Sequence, residues 1–194
     1  MRKGKIIILS GPSGSGKTTL HKKLLASKKL KGKLVKSISA TTRPRRPREK
    51  NGRDYLFLTP KQFLDKIQRG YFLEWQKVFD HYYGTPRNYV EKLLKKGKNV
   101  LLCIDVKGAA VIRRACPEAV TIFIKAPAFS ILKKRLTARG SEGKEDLCLR
   151  LKTARRELLE AKRYKYVIVN DNLERSLKEL VSVVCPEIDK HRNM

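Results

Sequence analysis

The stretch that decides the fold is Gly11-Pro12-Ser13-Gly14-Ser15-Gly16-Lys17-Thr18-Thr19. It follows the apolar run Ile6–Leu9 and precedes residues 20–25, whose apolar spacing is helical. Between a strand and a helix, the pattern G-x-x-x-x-G-K-[ST] predicts a phosphate-binding loop, because its glycines let several backbone N–H groups point at one anion. The helix start adds its positive dipole end. We predict that this loop binds a nucleoside triphosphate, with Lys17 on the outer phosphates and Thr18 as a ligand of Mg²⁺.

Composition sets the broad class of the protein. The chain has 194 residues, of which 41% are apolar, so it fits one domain, or one domain with an inserted subdomain. Its 46 Lys and Arg against 18 Asp and Glu give a net charge of +28, which indicates an anionic ligand, nucleic acid or an anionic surface, or else a general lysine bias. No run approaches the roughly 20 apolar residues of a membrane span, and the four cysteines lack metal or disulfide spacing. We expect a reduced, cytoplasmic protein.

Short apolar strands alternate with amphipathic helices along most of the chain. This pattern predicts an α/β fold with a parallel sheet covered by helices on both faces. The second strand is predicted at Leu34–Ser39, and the stretch from about 40 to 89 interrupts the alternation as a small inserted subdomain of antiparallel strands. Within it, Thr59-Pro60-Lys61-Gln62 predicts a capping box, and Thr85-Pro86 predicts a second helix start. Further along the chain, Asn172 is predicted to cap a last helix from Leu173 to about Val184.

Polar residues at the ends of these elements carry the candidate chemistry. Asp105 ends the apolar strand Val100–Ile104, where open α/β sheets bind ligands. It can place magnesium or its waters, or it can simply cap the next helix, and both roles are compatible. Arg135 and Arg139, four residues apart on a helix, share a face and could point at a transferred phosphoryl group together.

Taken together, these motifs resemble the guanylate kinase family, from about Lys5 to Leu180. Besides the loop, the matching stretches are Ser37–Arg46 with Glu49, Gly52, Asp54 and Tyr55, then Phe72–Trp75, Tyr82–Thr85, Ile104–Gly108 and Val167–Asp171. The resemblance implies a P-loop NTPase fold that transfers the γ-phosphoryl group of ATP to GMP with Mg²⁺. It also implies a core at about 1–39, 90–130 and 160–194, a GMP-binding subdomain at about 40–89 and a lid at about 131–159, which close over the substrates.

The resemblance also implies residue roles. One carboxylate and two hydroxyls would recognise the guanine edge: Glu74, Ser39 and Thr85. The other members of the GMP pocket would be Arg43, Arg46, Glu49, Tyr55, Tyr83, Gly84 and Asp105, of which two arginines and two tyrosines, Arg43, Arg46, Tyr55 and Tyr83, hold the phosphate. The catalytic cations would be Lys17, Arg46, Arg139 and Arg150. ATP would be held by the loop residues Gly11, Pro12, Ser13, Gly14, Ser15, Gly16, Lys17, Thr18 and Thr19, with Arg135 and Asn170 nearby.

The chain departs from the family pattern in ways that all make the site more positive. Cys103 stands where the family commonly has an acidic residue, and Lys107 replaces a glutamine. In the basic loop at residues 43–53, Arg45 and Arg48 replace a proline and a glycine. These departures bear on affinity and turnover more than on the type of reaction.

Two other classes of function compete with an active kinase. A non-catalytic module that binds phosphorylated partners usually has a broken phosphate loop, whereas Lys17 and Thr18 are intact here. An RNA-binding protein would need aromatic stacking surfaces among its basic residues, and the basic runs contain few aromatic residues. We therefore expect small-molecule substrates, no membrane or nucleic-acid partner, and a monomer or weak homo-oligomer.

The excess charge generates a first prediction. If it steers anionic nucleotides, added salt should lower kcat/KM for GMP and hardly change kcat, because screening acts on encounter and binding. Steady-state kinetics across a salt series measures this. If the charge serves nucleic acid instead, the protein should retain RNA or DNA through purification, with an affinity that falls log-linearly with salt. Tight nucleic-acid binding at physiological salt, without competition from GMP and ATP, would contradict steering.

Overall fold

The computed structural model describes residues 3–138 and 144–189. The strands are β1 (Ile6–Ser10), β2 (Leu34–Lys36), β3 (Ala40–Thr41), β4 (Leu56–Phe57), β5 (Phe72–Val78), β6 (His81–Pro86), β7 (Asn99–Cys103), β8 (Val120–Lys125) and β9 (Tyr166–Val169). The α-helices are α1 (Lys17–Ala26), α2 (Pro60–Gln68), α3 (Arg87–Lys95), α4 (Val106–Ala115), α5 (Phe129–Thr137), α6 (Lys144–Leu159) and α7 (Leu173–Asp189). A 3₁₀ turn, Glu160–Arg163, follows α6.

The larger sheet confirms the predicted parallel architecture. Its five strands have the order β2-β7-β1-β8-β9, and every neighbouring pair is parallel. β1 lies at the centre, where Ile7 pairs with Leu101 of β7 and with Val120 of β8. Because all five strands run the same way, their carboxyl ends meet at one edge.

Alternation along β1 explains how helices cover both faces. Ile7 and Leu9 pack in one apolar cluster with side chains of α1 and α7. Ile6 and Ile8 belong to a second cluster, which α3 and α4 cover. Both sets are buried, so β1 is apolar from Ile6 to Leu9, as expected of a strand covered on both faces, and it ends in the buried Ser10.

The smaller sheet has the order β4-β3-β6-β5. Its β3–β6 and β5–β6 pairs are antiparallel as predicted, but β3 and β4 are parallel, so that part of the prediction is wrong. The long basic connection between these two strands lets the chain return before β4 begins, which a tight hairpin could not do. Phe63 of α2 stacks on Phe72 with ring centroids 4.5 Å apart and fills the small core under this sheet.

Two predicted boundaries are wrong. The strand predicted at Leu34–Ser39 ends at Lys36, because the chain then leaves the larger sheet and enters the smaller one as β3. The helix predicted from Thr85-Pro86 begins at Arg87, and Thr85 is instead a buried residue of β6.

The capping signals at two other helices are confirmed. Thr59 Oγ1 accepts from the backbone N–H of Gln62 at 3.2 Å, and Gln62 Oε1 accepts from the Thr59 N–H at 2.9 Å. Asn172 Oδ1 accepts from the backbone N–H groups of Glu174 and Arg175 at the start of α7. No helix within residues 3–138 and 144–189 combines the length and the apolar character that a membrane span requires.

Candidate active site

The loop between β1 and α1 has the conformation that its glycines permit. Gly11, Gly14 and Gly16 all have positive φ, of 135°, 84° and 91°. A Cβ on Gly16 would collide with the side-chain amide of Asn170, and one on Gly11 would collide with the carbonyl of Ile124. The loop is therefore packed tightly between the ends of β8 and β9, and no larger residue fits these two positions.

Lys17 places a positive charge over this loop. Its ammonium group donates to the carbonyl oxygens of Gly11 at 2.5 Å and Pro12 at 2.8 Å. Gly16 caps α1 without a side-chain acceptor, and the first turn of α1 holds no acidic residue. The positive end of the helix dipole and Lys17 therefore act on the same small volume, which is suited to an anion.

Asn170 and Arg135 meet at the other side of the loop, and their predicted position near ATP stays a prediction. The buried Asn170 amide donates to the Ser15 carbonyl at 2.8 Å, and Arg135 donates to the Asn170 carbonyl at 3.1 Å. A second guanidinium nitrogen of Arg135 and the Ser15 hydroxyl are buried without a hydrogen-bond partner among the described residues. Buried donors of this kind point to a missing polar ligand, because leaving them unmatched is costly.

Glu74 is a buried carboxylate of the smaller sheet, and its pKa is shifted from the ordinary value. It lies on β5, is only 6% exposed, and its Oε1 accepts from the hydroxyl of Thr85 on β6 at 2.5 Å. Burial raises the pKa of Glu74 to about 7, the charge of Asp105 adds to this, and the Thr85 hydrogen bond opposes it. A buried carboxylate with a pKa raised to about 7 is a candidate for ligand recognition.

Asp105 has the capping role that its position also predicts. Its Oδ1 accepts from the backbone N–H of Gly108 at 2.6 Å at the start of α4. Burial raises the pKa of Asp105, although the Gly108 N–H and the charge of Lys17 act in the opposite direction. The carboxylate thus lies between the phosphate loop and Glu74, and its predicted role toward magnesium or substrate stays a prediction.

In the basic loop, an arginine side chain packs over an aromatic ring. Glu49 accepts two hydrogen bonds from Arg43, at 2.9 and 3.0 Å, and one from the Arg46 backbone N–H at 2.9 Å. Burial would raise the pKa of Glu49, but these hydrogen bonds outweigh it and lower the pKa. The Arg43 guanidinium lies 5.5 Å from the ring centroid of Tyr55, which contacts Tyr83 edge-on at 6.3 Å. Glu49 therefore orients Arg43.

Two other predicted catalytic arginines lie at separate positions. The Arg46 side chain is exposed, and the Arg150 guanidinium lies 4.7 Å from the ring centroid of Phe79, in the turn between β5 and β6. Arg139 falls outside the described residues.

Ser13 is half-buried in the loop, whereas Thr18 and Thr19 are exposed in the first turn of α1. Ser39 is half-buried just before β3, and Gly84 is buried within β6.

Two departures from the family pattern have visible consequences. Burial raises the pKa of the Cys103 thiol, despite the ammonium groups of Lys17 and Lys36 nearby, so this position contributes no negative charge at pH 7. Arg48 has φ 70°, in the left-handed region that favours the glycine of the family pattern. The structure explains no further consequence of Arg45.

Two site residues were missed by sequence reasoning. Lys36 ends β2 at the carboxyl edge, and its ammonium donates to the carbonyl oxygens of Arg53 and Asp54, which anchors the basic loop. Its position at a strand end was an available signal. Glu157 of α6 is half-buried, and burial raises its pKa to about 7, with Lys17 and Asp105 near enough to affect it. Nothing in the sequence separates Glu157 from the other charges of α6.

Comparison with known proteins now gives this arrangement a family. The sequence model of the family described as guanylate kinase matches residues 3–187. The chain belongs to the guanylate kinase family. A guanylate kinase of Thermotoga maritima is 41% identical, over 95% of this chain and 88% of that protein. A guanylate kinase of Rickettsia felis is 43% identical, over 97% and 96%.

A solved structure extends the match to three dimensions. The crystal structure of guanylate kinase from Anaplasma phagocytophilum superposes with a TM-score of 0.79 at 34% identity, covering 96% of this chain and 87% of that chain. The predicted family and fold class are therefore confirmed.

Glu74 yields a prediction that concerns stability. Between pH 4.5 and 7 the folded protein keeps a proton on Glu74 that the unfolded chain has released, so this residue makes stability fall as pH rises. The raised pKa means that ionised Glu74 lowers the free energy of unfolding by about 3 kcal/mol. Glu74→Gln, which is neutral, should therefore exceed the wild type in unfolding free energy by up to about 3 kcal/mol at pH 8 and by nearly nothing at pH 4.5. Urea unfolding at both pH values measures this.

A matched exposed site provides the control. Glu179→Gln on α7 should change the unfolding free energy by less than about 0.5 kcal/mol at either pH, because exposed substitutions rarely do more. An equal gain for Glu74→Gln at pH 4.5 and pH 8 would show that ionisation of Glu74 is not the cause.

Proposed function

We propose that the residues of this site carry out the reaction of the guanylate kinase family, transfer of the γ-phosphoryl group of ATP to GMP. The observation that carries the proposal is the pairing of a phosphate-binding loop with the buried carboxylate of Glu74. The loop is suited to bind the phosphates of a nucleoside triphosphate, and the Glu74 carboxylate is suited to bind guanine. Neither feature alone separates this reaction from that of other nucleotide-binding proteins.

Guanine recognition follows from the chemistry of Glu74. Ionised, this carboxylate accepts from both the N1–H and the exocyclic amine of guanine, whereas adenine offers no such pair of donors. The Thr85 hydroxyl proton is already directed to Glu74. The Thr85 hydroxyl proton is therefore used to hold the carboxylate. In that arrangement, Ser39 is the residue that donates a hydrogen bond to the guanine O6. A buried carboxylate left unpaired by the wrong base gives strong discrimination.

The phosphate of GMP is proposed to bind over Tyr55 and Tyr83. Arg43, fixed by Glu49, can present its guanidinium there, and the exposed Arg46 can swing toward the same anion. Arginine suits this role because its planar fork binds phosphate oxygens in pairs. Glu49 is assigned to the pocket as the residue that orients Arg43, since a carboxylate does not bind a phosphate directly.

ATP and Mg²⁺ fit the residues around the loop. The buried, unmatched guanidinium nitrogen of Arg135 is suited to a nucleotide, and the exposed Thr18 hydroxyl is suited to a metal ion. Within the described part of the chain no three His, Cys, Asp or Glu side chains cluster to hold a metal. A phosphate-bound Mg²⁺ does not need such a cluster, because it is held mainly by phosphates and waters. When bound, the ion neutralises charge on the phosphoryl groups.

Lys17 and the arginines supply the remaining stabilisation. Lys17 lies at the mouth of the loop and can follow the charge that develops on the transferred group. Arg46, Arg150 and Arg139 complete the set in the proposal, and they approach when the segment at about 40–89 and the lid at about 131–159 close on the core. Closure excludes water, which would otherwise compete as the acceptor of the phosphoryl group.

The same proposal covers partners and location. The substrates are small molecules, and neither a membrane nor nucleic acid is required. We propose a cytoplasmic enzyme, since all four cysteines are free thiols in the structure. A monomer suffices, because the residues assigned to the site belong to one chain.

The test is a coupled assay of ADP formation with GMP, AMP, CMP and UMP. Turnover should strongly favour GMP, because Glu74 matches only guanine's donors. Glu74→Gln should raise KM for GMP sharply and leave KM for ATP nearly unchanged. Equal turnover of AMP and GMP would contradict the assignment of Glu74, and absence of turnover with all four would favour a non-catalytic binding module.

Catalytic roles are tested by removing single cations. Lys17→Ala, Arg139→Ala and Arg150→Ala should each lower kcat by about two to three orders of magnitude, because each removes charge stabilisation from the transferred phosphoryl group. Lys133→Ala, an exposed position on α5, is the control and should leave kcat close to the wild type. Any of the three variants that retains more than about half of the wild-type kcat has been assigned the wrong role.

A further inference from the structure

Gly108 is a buried glycine that its own backbone does not require. It is the third residue of α4 and does not share the positive φ of the loop glycines. At such a position alanine is favoured over glycine, because glycine loses more conformational entropy in a helix. The reason for a glycine here must therefore lie in what surrounds it.

The space beside Gly108 is filled by the carboxylate of Glu74. A Cβ on Gly108 would lie 3.0 Å from Glu74 Cδ and closer still to Oε2, well inside any real contact. The next neighbour, Asp105 Oδ1, would be at an ordinary 3.4 Å. Glu74 therefore lies against the bare α-carbon of Gly108, and one methyl group there is enough to displace it.

The surrounding contacts decide which side of this contact would move. Two interactions fix the position of α4. The Gly108 N–H donates a hydrogen bond to Asp105, and Ala109 and Ile112 are buried in the core against the larger sheet. The carboxyl group of Glu74 is the end of a flexible side chain, and Thr85 donates a hydrogen bond to it. The helix would stay, and Glu74 would rotate away.

The position of Glu74 against α4 also favours its working form. The first turn of a helix carries partial positive charge, so α4 partly opposes the burial and the Asp105 charge, which disfavour the ionised state that guanine needs. Thr85 fixes one carboxylate oxygen and Gly108 admits the other. The two contacts together leave the carboxylate one orientation.

We propose that Gly108 is a specificity-determining positioning residue, whose missing side chain lets α4 approach Glu74 and hold its carboxylate toward the guanine edge. This inference rests on the proposed function, since it assigns Gly108 a role in recognising GMP. Gly108 acts through Glu74 and is not itself expected to touch the substrate.

The first experiment is the kinetics of Gly108→Ala. Displacing the carboxylate should raise KM for GMP by about 10- to 100-fold, the range expected for losing a hydrogen bond to a charged group. The preference for GMP over AMP should fall by a similar factor, while KM for ATP stays within about twofold and kcat within about threefold. Ala115→Ser, which adds one atom at an exposed position of the same helix, should match the wild type.

A double-mutant cycle separates positioning from simple damage to the fold. In a Glu74→Ala background, Gly108→Ala should cause no further rise in KM for GMP, because the side chain that it displaces is gone. The double variant should also melt no lower than Glu74→Ala alone, since the added methyl group now fits beside α4 and favours the helix. This second background keeps the test valid even if Gly108→Ala by itself folds poorly.

The outcomes distinguish this proposal from the one on which it rests. A wild type without preference for GMP would overturn the proposed function. A selective wild type whose Gly108→Ala variant keeps the wild-type KM for GMP would overturn only the role of Gly108. An additional, independent loss in the Glu74→Ala background would also overturn it, because that result would show damage that does not pass through Glu74.

Discussion

The structure depends first on the burial of β1 between two parallel neighbours. Because β7 and β8 flank it in the same direction, the turn that follows β1 lies at the carboxyl edge beside the ends of both strands. That edge places Gly11 against Ile124 and Gly16 against Asn170, so the loop has room only for glycine there. The anion site is therefore a consequence of strand order, with the helix start of α1 directed into it.

The smaller sheet adds a second constraint, which concerns charge. Its β5 lies against α4 and brings Glu74 to within contact of Gly108, far from water. Burying this carboxylate works against stability, and the Thr85 hydrogen bond offsets only part of the effect. Keeping a buried carboxylate at a cost in stability is typical of functional sites.

Local patterns in the sequence predicted what local chemistry determines. The loop, the buried strands, the capping box at Thr59 and the cap at Asn172 could all be predicted, because each depends on a few neighbouring residues. The guanine-recognition role of Glu74 came from resemblance to a family, since a single carboxylate in a strand carries no signal of its own. The helix predicted after Thr85-Pro86 is present as α3, but Thr85 does not cap it, because its hydroxyl donates to Glu74, eleven residues away. Glu157 and the contact at Gly108 arise only when distant segments pack.

The raised pKa of Glu74 has a consequence for the thermodynamics of ligand binding. With a pKa of about 7, about half of the free molecules carry a proton on this carboxyl at neutral pH. In the proposed recognition of GMP, guanine donates hydrogen bonds to the ionised form, so binding of GMP should release that proton into the medium. The heat measured in a calorimeter would then include the ionisation enthalpy of the buffer. Titrations in phosphate and in Tris should differ by the number of protons released multiplied by the difference between the two buffers' ionisation enthalpies.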